Sequence, residues 1–383
     1  MQHADAEQVE LPGADGDFTV LAGHAPVIAT QPVSVGAVAG GGAEFFAGAS
    51  GLPLPAQYQW RKNGVAIPGA TDAKLRLRGV QPDQVGTYTV VISNAAGSVV
   101  SQPATLAVDA RARLINLATR AAVGRGANIL FAGFVIRGTQ PRDVLVRGIG
   151  EQLGDFGVAG VLRDPVISLY DSKGNHMDSN DDWFRTGEEN MEALRAAARQ
   201  SGAFALREDA HDGALLANLA PGSYTAQVVG LSNTTGVGLV EIYELGVPSA
   251  ERFVNLSSRA FVGTGANILI PGLVLSGQAP RRLLFRAVGP GLAELGVAGV
   301  LADPIMKVFR GTEVIAQNDN WGEQPNAAQL APAMAAVGAF PLKAGSRDAV
   351  LLLDLPPGSY TVQVAGVNGA TGIALVEIYE VAP

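Results

Sequence analysis

Four segments of the chain occur twice, in the same order, and they indicate its fold. The first copy reads Asp164-Pro-Val-Ile-Ser-Leu-Tyr170, Ser179-Asn-Asp-Asp-Trp183, Pro221-Gly-Ser-Tyr-Thr-Ala-Gln-Val-Val229 and Gly238-Leu-Val-Glu-Ile-Tyr-Glu244. The second copy reads, in the same order, Asp303-Pro-Ile-Met-Lys-Val-Phe309, Gln317-Asn-Asp-Asn-Trp321, Pro357-Gly-Ser-Tyr-Thr-Val-Gln-Val-Ala365 and Ala374-Leu-Val-Glu-Ile-Tyr-Glu380. Similarity this dense, in a constant order, indicates a duplicated module. We therefore predict two copies, at residues 109–248 and 249–383.

The composition favours small β domains. The chain of 383 residues holds 48 Gly and 22 Pro, and only 16% of its residues are charged. Many turn residues between short alternating stretches are typical of sandwiches and barrels. Helical spacing occurs once in each copy, over 188–200 and more weakly over 327–337. In the closing strand of the first copy, Val240 and Ile242 are predicted to face the core, while Glu241 and Tyr243 face out.

Charge and cysteine content exclude several functions. The net charge of −8, the pI near 5.1 and the lack of any basic run argue against a nucleic-acid partner. The longest apolar runs are far shorter than the roughly 20 residues that span a bilayer, so no membrane insertion is expected. The absence of cysteine excludes thiol catalysis, disulfides and thiolate metal sites. The start of the chain lacks the basic and apolar regions of a signal peptide.

Residues 26–108 carry the pattern of an immunoglobulin-like sandwich. Trp60 stands where the buried tryptophan of strand C belongs, Asn63-Gly64 forms a predicted hairpin turn, and Tyr88 occupies the tyrosine corner. The segment resembles bacterial Ig-like repeats. This resemblance implies that Ala47 and Val90 stand where many Ig domains have cysteines, so packing replaces the disulfide.

The duplicated modules keep one register over their first strands, as the pairs Arg120/Arg259 and Asn128/Asn267 show. Each module resembles a repeat of unestablished function found in exported proteins of environmental Gram-negative bacteria. In outline it is also similar to the jelly-roll-like C-terminal domains of secreted bacterial peptidases. These resemblances imply an all-β chain: one Ig-like domain without a disulfide, then two tandem jelly-roll-like β-sandwich modules, each with one short helix. They also imply an extracellular or cell-surface location.

The start of the chain carries a different signal. Residues 7–28 resemble part of the N-terminal domain of the F-type ATP synthase epsilon subunit, through a Pro-Gly-x-x-Gly-Asp-Phe-x-Val-Leu-x-Gly-His-Ala-Pro run that begins at Pro12. A fragment this short cannot bury a core of its own. We expect residues 1–25 to be a fusion scar, a gene-boundary artefact or an appended N-terminal arm, and the rotary-motor function does not carry over.

The repeated Asn-Asp-x-Trp loops are the best candidate for a metal site. Calcium takes six to eight hard oxygen ligands, which carboxylates and Asn side chains supply. The alternative is an Asx-turn, in which these side chains bond their own backbone while the tryptophan packs on the sandwich. The candidate ligands are Asp178, Asn180, Asp181 and Asp182 in the first copy, and Asn318, Asp319 and Asn320 in the second.

The tryptophans of the same loops suggest a second kind of site. Trp183 and Trp321 can serve as platforms for sugar rings if they are exposed, and as core residues if they are buried. Exposed rings would therefore indicate a binding role, whereas buried rings would indicate a spacer that holds another domain.

The sequence offers weaker candidates for a catalytic site than for a binding site. Paired carboxylates for glycoside hydrolysis can come from Glu241/Glu244, from Glu377/Glu380 or from a helix start at Glu188/Glu189. Ser201, His211 and Asp212 make a conceivable triad, but no nucleophile-elbow motif supports it. The sequence therefore predicts a non-enzymatic extracellular or cell-surface adhesion or structural module, whose partner is a cell-wall or extracellular polysaccharide or a surface protein. The alternatives are a calcium-assisted carbohydrate-binding protein, a spacer that holds another domain away from the cell surface, and a hydrolase with an unseen site.

Overall fold

The computed structural model describes residues 23–54, 57–246 and 248–381. It divides the chain into two compact units: Met1–Ala37 with Gly42–Val108, and Val38–Gly41 with Asp109–Pro383. The predicted arm at residues 1–25 lies outside the described residues except for its last three. Among the described residues, none of the helices has the length and apolar character needed to cross a membrane.

The first unit is an Ig-like β-sandwich. The strands of the Ig-like part are β1 His24–Thr30, β2 Val35–Val38, β3 Gly42–Phe46, β4 Gly48–Leu52, β5 Gln57–Lys62, β6 Val65–Ala66, β7 Lys74–Arg78, β8 Gly86–Asn94, β9 Gly97–Val100 and β10 Ala104–Asp109. One sheet has the order β2-β10-β8-β5-β6 with β9 beside β8, and the pairs β1-β4 and β3-β7 form the rest.

The Ig-like core agrees with the sequence prediction. Trp60 is fully buried, and its indole N–H donates to the carbonyl of Asp72 at 2.9 Å. The hydroxyl of Tyr88 donates to the carbonyl of Gln84 at 2.9 Å, which makes the tyrosine corner. Ala47 and Val90 belong to the same buried cluster, so packing stands in place of a disulfide.

The second unit contains both modules. The first module has strands β11 Arg113–Val123, β12 Leu130–Arg137, β13 Arg142–Ile149, β14 Pro165–Asp171, β15 His176–Asn180, β16 Gly213–Leu219, β17 Gly222–Gly230 and β18 Gly236–Glu244, and the helix α1 Glu188–Ser201. The second has strands β19 Arg252–Val262, β20 Ile270–Ser276, β21 Arg281–Val288, β22 Pro304–Arg310, β23 Glu313–Asn318, β24 Ala349–Leu355, β25 Gly358–Gly366 and β26 Gly372–Glu380, and the helices α2 Pro290–Ala293 and α3 Ala327–Ala336.

Each module has jelly-roll strand order. In the first module one sheet runs β16-β13-β18-β11 and the other runs β15-β14-β17-β12. The second module repeats this as β24-β21-β26-β19 and β23-β22-β25-β20. Eight antiparallel strands in this alternation form a double-sheet jelly roll, so the predicted all-β fold class is confirmed.

The edge strands of the two modules pair with each other, so the modules are not two independent domains. Strand β11 pairs antiparallel with β20 of the second module, and β12 pairs antiparallel with β19. Each four-stranded sheet thereby continues into a sheet of the other module. At their ends β11 and β19 also pair with each other in parallel, at Leu114 with Phe253 and at Ala122 with Phe261.

One hydrophobic core serves both modules. It contains Leu117 and Val146 of the first module together with Leu256 and Phe285 of the second. Where β11 and β19 cross, the hydroxyls of Thr119 and Ser258 lie 2.6 Å apart, and both residues are buried. The duplication therefore yields one pseudo-twofold sandwich with a continuous core.

Helical segments cover the outer faces of β13–β16–β18 and of the equivalent strands. In the first module α1 packs there with Met191 and Leu194. Val240 and Ile242 do face the shared core. Glu241 faces out from this core as predicted, but it is buried, because the outward face of β18 lies beneath this second layer.

Candidate functional site

The first asparagine of each Asn-Asp-x-Trp loop ties together the two sheets of its own module. The side-chain oxygen of Asn180 accepts the Ala214 N–H at 2.9 Å, and its nitrogen donates to the Asp182 carbonyl at 3.2 Å. In the second copy, Asn318 accepts the Val350 N–H at 2.9 Å and donates to the Asn320 carbonyl at 3.0 Å. The amide thus joins β15 to β16, and β23 to β24, which lie in different sheets.

The tryptophans of these loops differ from the predicted platforms. Trp183 is only 2% exposed and donates its indole N–H to the Arg207 carbonyl at 2.8 Å. An exposed sugar platform at Trp183 is therefore wrong: the ring lies beneath α1. Trp321 is half-buried, and its indole N–H lies 3.2 Å from both the Lys343 carbonyl and the Ser346 hydroxyl.

The remaining predicted metal ligands are spread over separate contacts. Asp182 is buried and places one carboxylate oxygen 2.7 Å from His211 Nδ1 and the other 3.1 Å from Arg185 Nε. Asp178 is exposed and caps the N–H of Ser179. Asp181, Asp319 and Asn320 are half-buried. Within the described ranges, no three His, Asp or Glu side chains converge as metal ligands, and the calcium site stays a prediction.

Each module has a buried aspartate that holds a turn of the framework, a role that the sequence analysis did not predict. Asp212 is fully buried, and its carboxylate accepts the N–H of Gly150 at 2.7 Å. Asp348 accepts the N–H of Gly289 at 2.8 Å in the same way. A Cβ on Gly150 would lie 2.0 Å from the Leu162 carbonyl oxygen, so the turn requires glycine. Burial raises the pKa of Asp212, against the lowering effect of the hydrogen bonds from Gly150 and Gln152. The signal in the sequence was the equal distance to the Pro-Gly-Ser-Tyr run, because Asp212 precedes Pro221 by nine residues and Asp348 precedes Pro357 by nine residues.

A buried ion pair lies under the helical layer of each module. Arg147 Nε is 3.2 Å from Glu241 Oε2, and the Tyr243 hydroxyl donates to Glu241 Oε1 at 2.8 Å. Arg286 and Glu377 repeat this pair at 3.0 Å. Burial raises the pKa of Glu241, although Arg147 and the Tyr243 hydroxyl oppose the shift. Burial and the neighbouring Glu241 carboxylate raise the pKa of Tyr243.

The conceivable catalytic sets have other partners. The Asp212 carboxylate holds backbone N–H groups of the turn, while His211 pairs with Asp182. The Ser201 hydroxyl donates to the Ala198 carbonyl at 3.2 Å. Glu244 is buried against Arg142 at 2.6 Å and against Arg113. These carboxylates are thus part of the framework of the sandwich.

A groove on the outer face of one sheet is lined by polar, aromatic and aliphatic side chains, and several of the polar ones have no framework role. It measures about 960 Å³ and is crossed by β12, β14, β17 and β19. We call it the sheet groove. Its lining includes Phe131, Tyr170, Ser223, Thr225, Gln227, Ser257 and Arg259.

The polar groups of the sheet groove are available to a ligand. Gln227, Thr225 and Ser223 make no side-chain hydrogen bond to any described residue. The Arg259 guanidinium lies 4.1 Å over the Phe131 ring and pairs with no carboxylate among the described residues. Burial lowers the pKa of Arg259. The sequence analysis named Arg259 only because it aligns with Arg120 of the first copy.

Comparison with known proteins identifies the Ig-like part. Residues 25–94 match the family model of the immunoglobulin domain. Human cartilage intermediate layer protein 2 is 38% identical over 86 residues, which are 22% of this chain and 7% of that protein. Endoglucanase C of Cellulomonas fimi is 35% identical over 94 residues, or 24% of this chain and 8% of the enzyme. Titin domain M7 is 28% identical, with 24% of this chain and 100% of that domain covered and a TM-score of 0.22.

The resemblance to a rotary-motor subunit also has a counterpart. The ATP synthase epsilon chain of Rhodopseudomonas palustris (strain BisB5) is 52% identical over 40 residues, which are 10% of this chain and 30% of that protein. The chain thus spans less than a third of the length of each of these three relatives. The chain contains an Ig-like domain within an all-β fold, and the family of the duplicated module stays a prediction.

Proposed function

We propose that this chain is a non-enzymatic adhesion and structural module of an extracellular or cell-surface protein, and that it holds a polysaccharide in the sheet groove. The observation that carries the proposal is the set of unengaged side chains in the groove. Gln227, Thr225 and Ser223 offer hydrogen-bonding groups to sugar hydroxyls, while Phe131 and Tyr170 offer ring surface.

The Asn-Asp-x-Trp loops are poorer candidates for this role. Asn180 and Asn318 use their amides on the backbone, and the Trp183 ring is buried. A ligand there would have to displace hydrogen bonds that join the two sheets of a module. In the groove, the side chains of Gln227, Thr225 and Ser223 can bond a ligand without breaking a hydrogen bond to a described residue. Arg259 adds one positive charge without a carboxylate partner, which favours sugars that carry a carboxylate over neutral ones.

The test is a pull-down of the full chain with insoluble polysaccharides and isolated bacterial cell walls, in calcium and in chelator. The polysaccharides include a neutral glucan and a polymer of uronic acids. The groove variant is Gln227→Ala, and the matched control is Gln317→Ala, which removes the same side chain from an exposed position on β23.

The expected result is retention on at least one carbohydrate surface, strongest on the uronic acid polymer and insensitive to chelator. Gln227→Ala should weaken retention about fivefold, because one hydrogen bond contributes about 1 kcal/mol. Gln317→Ala should bind as the wild type does. No retention on any surface would sink the proposal. Retention that requires calcium and is lost in Asp178→Ala or Asp319→Ala would move the site to the loops.

A further inference from the structure

A pocket of about 260 Å³ lies where equivalent strands of the two modules begin, and its wall belongs entirely to the second unit. We call it the arginine pocket. Arg113 and Arg252 are the first residues of β11 and β19, and Arg142 and Arg281 are the first residues of β13 and β21. These four arginines line the pocket together with Arg111. The pseudo-twofold relation of the modules thus brings two equivalent pairs of arginines to one place.

The carboxylates beside the arginine pocket do not balance its positive charge. Three of them pair with the five arginines: Asp109, Glu244 and Glu380. Five positive and three negative charges leave an excess of two positive charges. Glu251 lies nearby, but its carboxylate accepts the N–H groups of Thr139 and Gln140 at 3.4 and 3.3 Å. Even when Glu251 is counted, one positive charge remains.

On the first-module side, the protein itself supplies acceptors for the arginines. Arg113 donates to the carbonyls of Ser249 and Glu251, each at 2.8 Å. Arg142 donates to the Ser249 hydroxyl at 3.2 Å, and both arginines contact Glu244. All four Nη nitrogens of this pair therefore have protein partners.

On the second-module side, the equivalent arginines bond only through Nε. Arg252 Nε donates to the Glu380 carboxylate at 3.0 Å, and Arg281 Nε donates to the Ala112 carbonyl. The Nη nitrogens of both have no hydrogen-bond partner among the described residues, and they are not sealed from solvent. Arg281 is only 5% exposed and lines the pocket, so the accessible part of its guanidinium faces the pocket.

The two arginines with free Nη groups lie on one carboxylate. Arg281 Nε is 3.9 Å from Glu380, which Arg252 also contacts, so one small ligand can reach both guanidinium groups. Burial lowers the pKa of Arg281, and the charges of Arg252 and Arg111 add to this, while Glu380 and Asp109 oppose it. An anion in the pocket would offset the cost of holding these positive charges together.

We propose that the arginine pocket binds a tetrahedral dianion, either free sulfate or phosphate or the same group as an ester on a larger molecule. Arg252 and Arg281 donate from their Nη groups to its oxygens, because a guanidinium group can donate two parallel hydrogen bonds to one such anion. Its two negative charges offset the excess positive charge more completely than a single carboxylate does. The volume of about 260 Å³ leaves space beside the anion for water or for the rest of an ester.

The test measures binding to the full chain by isothermal titration calorimetry at constant ionic strength. The probes are sulfate, phosphate, glucose 6-phosphate and acetate. We expect sulfate and phosphate to bind at least about tenfold more tightly than acetate, because they carry more charge and more acceptor oxygens. Tighter binding of glucose 6-phosphate than of phosphate assigns the site to an ester, and weaker binding assigns it to the free ion.

Variants of the two arginines locate the site. Arg252→Gln removes a charge and a guanidinium group, and it should weaken sulfate binding at least about tenfold. Arg281→Lys keeps the charge but loses the Nη groups, and it should weaken binding about fivefold. Arg137→Gln is the matched control, because Arg137 lies opposite Arg252 on the neighbouring strand, is exposed and does not line the pocket. It removes the same charge and should change binding by less than about twofold.

Three results overturn the proposal: sulfate binding no tighter than acetate binding, unchanged sulfate binding in a folded Arg252→Gln or Arg281→Lys variant, or an equal loss in Arg137→Gln. If one pocket variant fails to fold, the other variant and the comparison of probes on the wild type carry the test. Gln227→Ala should leave sulfate binding unchanged, because no residue of the arginine pocket lines the sheet groove. The outcome is therefore distinct from that of the polysaccharide assay.

Discussion

Asn180 and Asn318 show why the first residue of the repeated motif is the same in both copies. Both amides accept a strand N–H of the opposite sheet and donate to a carbonyl two residues on. An aspartate could accept but not donate, and a serine is too short to do both. The third motif position changes from Asp182 to Asn320 together with the change from His211 to Arg347. Arg347 pairs instead with Asp303 at 2.9 Å.

Removing either asparagine should destabilise the sandwich. We expect Asn180→Ala and Asn318→Ala each to lower the free energy of unfolding by about 1–3 kcal/mol, because a strand N–H loses its acceptor. Urea denaturation measures this. Asn190→Ala, at an exposed position on α1, should change the free energy by less than about 0.5 kcal/mol.

The same denaturation curves also examine the calcium prediction. If the amides serve only the backbone, calcium and chelator give the same free energy of unfolding for the wild type. Stabilisation of the wild type by calcium that disappears in Asn180→Ala would contradict the framework role.

His211 gives the first module a pH dependence that the second lacks at this position. The hydrogen bond to Asp182 raises the pKa of His211 above its ordinary value of about 6.5, and the Asp164 and Glu151 carboxylates add to this. A raised folded pKa stabilises the fold fully below about pH 6.5, and the contribution is lost as the pH rises through the raised value. Because His211 is partly exposed, we expect a loss of only a few tenths of a kcal/mol, about the scale of screened pairs.

Urea denaturation at pH 6 and pH 9 checks this expectation. Relative to His211→Gln, which cannot be charged, the wild type should be more stable at pH 6 and equal at pH 9. His211→Arg, the residue type of the second copy, should keep its advantage at both values. An identical pH profile for the wild type and His211→Gln would rule out the ionic contribution.

Residues that contact their own segment were predictable, and residues that contact a covering layer were not. Trp60 and Tyr88 follow from the spacing of one small sandwich. Alternation along β18 gave Glu241 the correct side of the sheet but not its burial. The sequence does not reveal that α1 lies on this side, since helical spacing marks an apolar face but not the surface that it covers.

At the scale of elements, β11 and β12 are edge strands of the first module that the second module completes. Each has one neighbour in its own module; in the other module β12 pairs with β19, and β11 pairs with β20 and, at its ends, with β19. An unpaired edge leaves a row of N–H and C=O groups open to pairing. Strands β19 and β20 of the second module are equivalent to β11 and β12 of the first. A single module therefore contains both of the strands that pair with each other between the modules.

Residues 109–248 expressed alone should therefore form a symmetric dimer. Strand β11 of one copy would pair with β12 of the other, as β11 pairs with β20 in the full chain. Analytical ultracentrifugation should show the dimer, while residues 109–383 stay monomeric. A folded, monomeric single module as stable as the pair would show that the edges do not need each other.

Strand positions lay within reach of sequence patterns, and the jelly-roll-like fold was implied by a resemblance to known domains, whereas neither indicated that the edge strands of the two modules pair. Each copy has a complete set of eight strands, so either copy can be read as a domain on its own. Which edges meet depends on contacts between distant residues such as Phe131 and Arg259. Nothing local in the pattern distinguishes a partner in the same module from one in the other.

At the scale of the whole second unit, the duplication explains both the shared framework and the sites. Pseudo-twofold packing keeps the core, Asn180/Asn318 and Asp212/Asp348 alike in both copies. Positions outside the framework are free to differ. The sheet groove, for example, uses Phe131 where the other copy has Ile270.

The double variant Thr119→Cys with Ser258→Cys tests whether the two modules form one interlocked sandwich. The chain has no other cysteine, and the two hydroxyl oxygens are 2.6 Å apart, within reach of a sulfur–sulfur bond of about 2.0 Å. We expect a monomer with one disulfide and no reactive thiol after unfolding, whereas either single variant keeps its thiol. Two free thiols in the folded monomer, or disulfide-linked dimers alone, would contradict the interlocked fold.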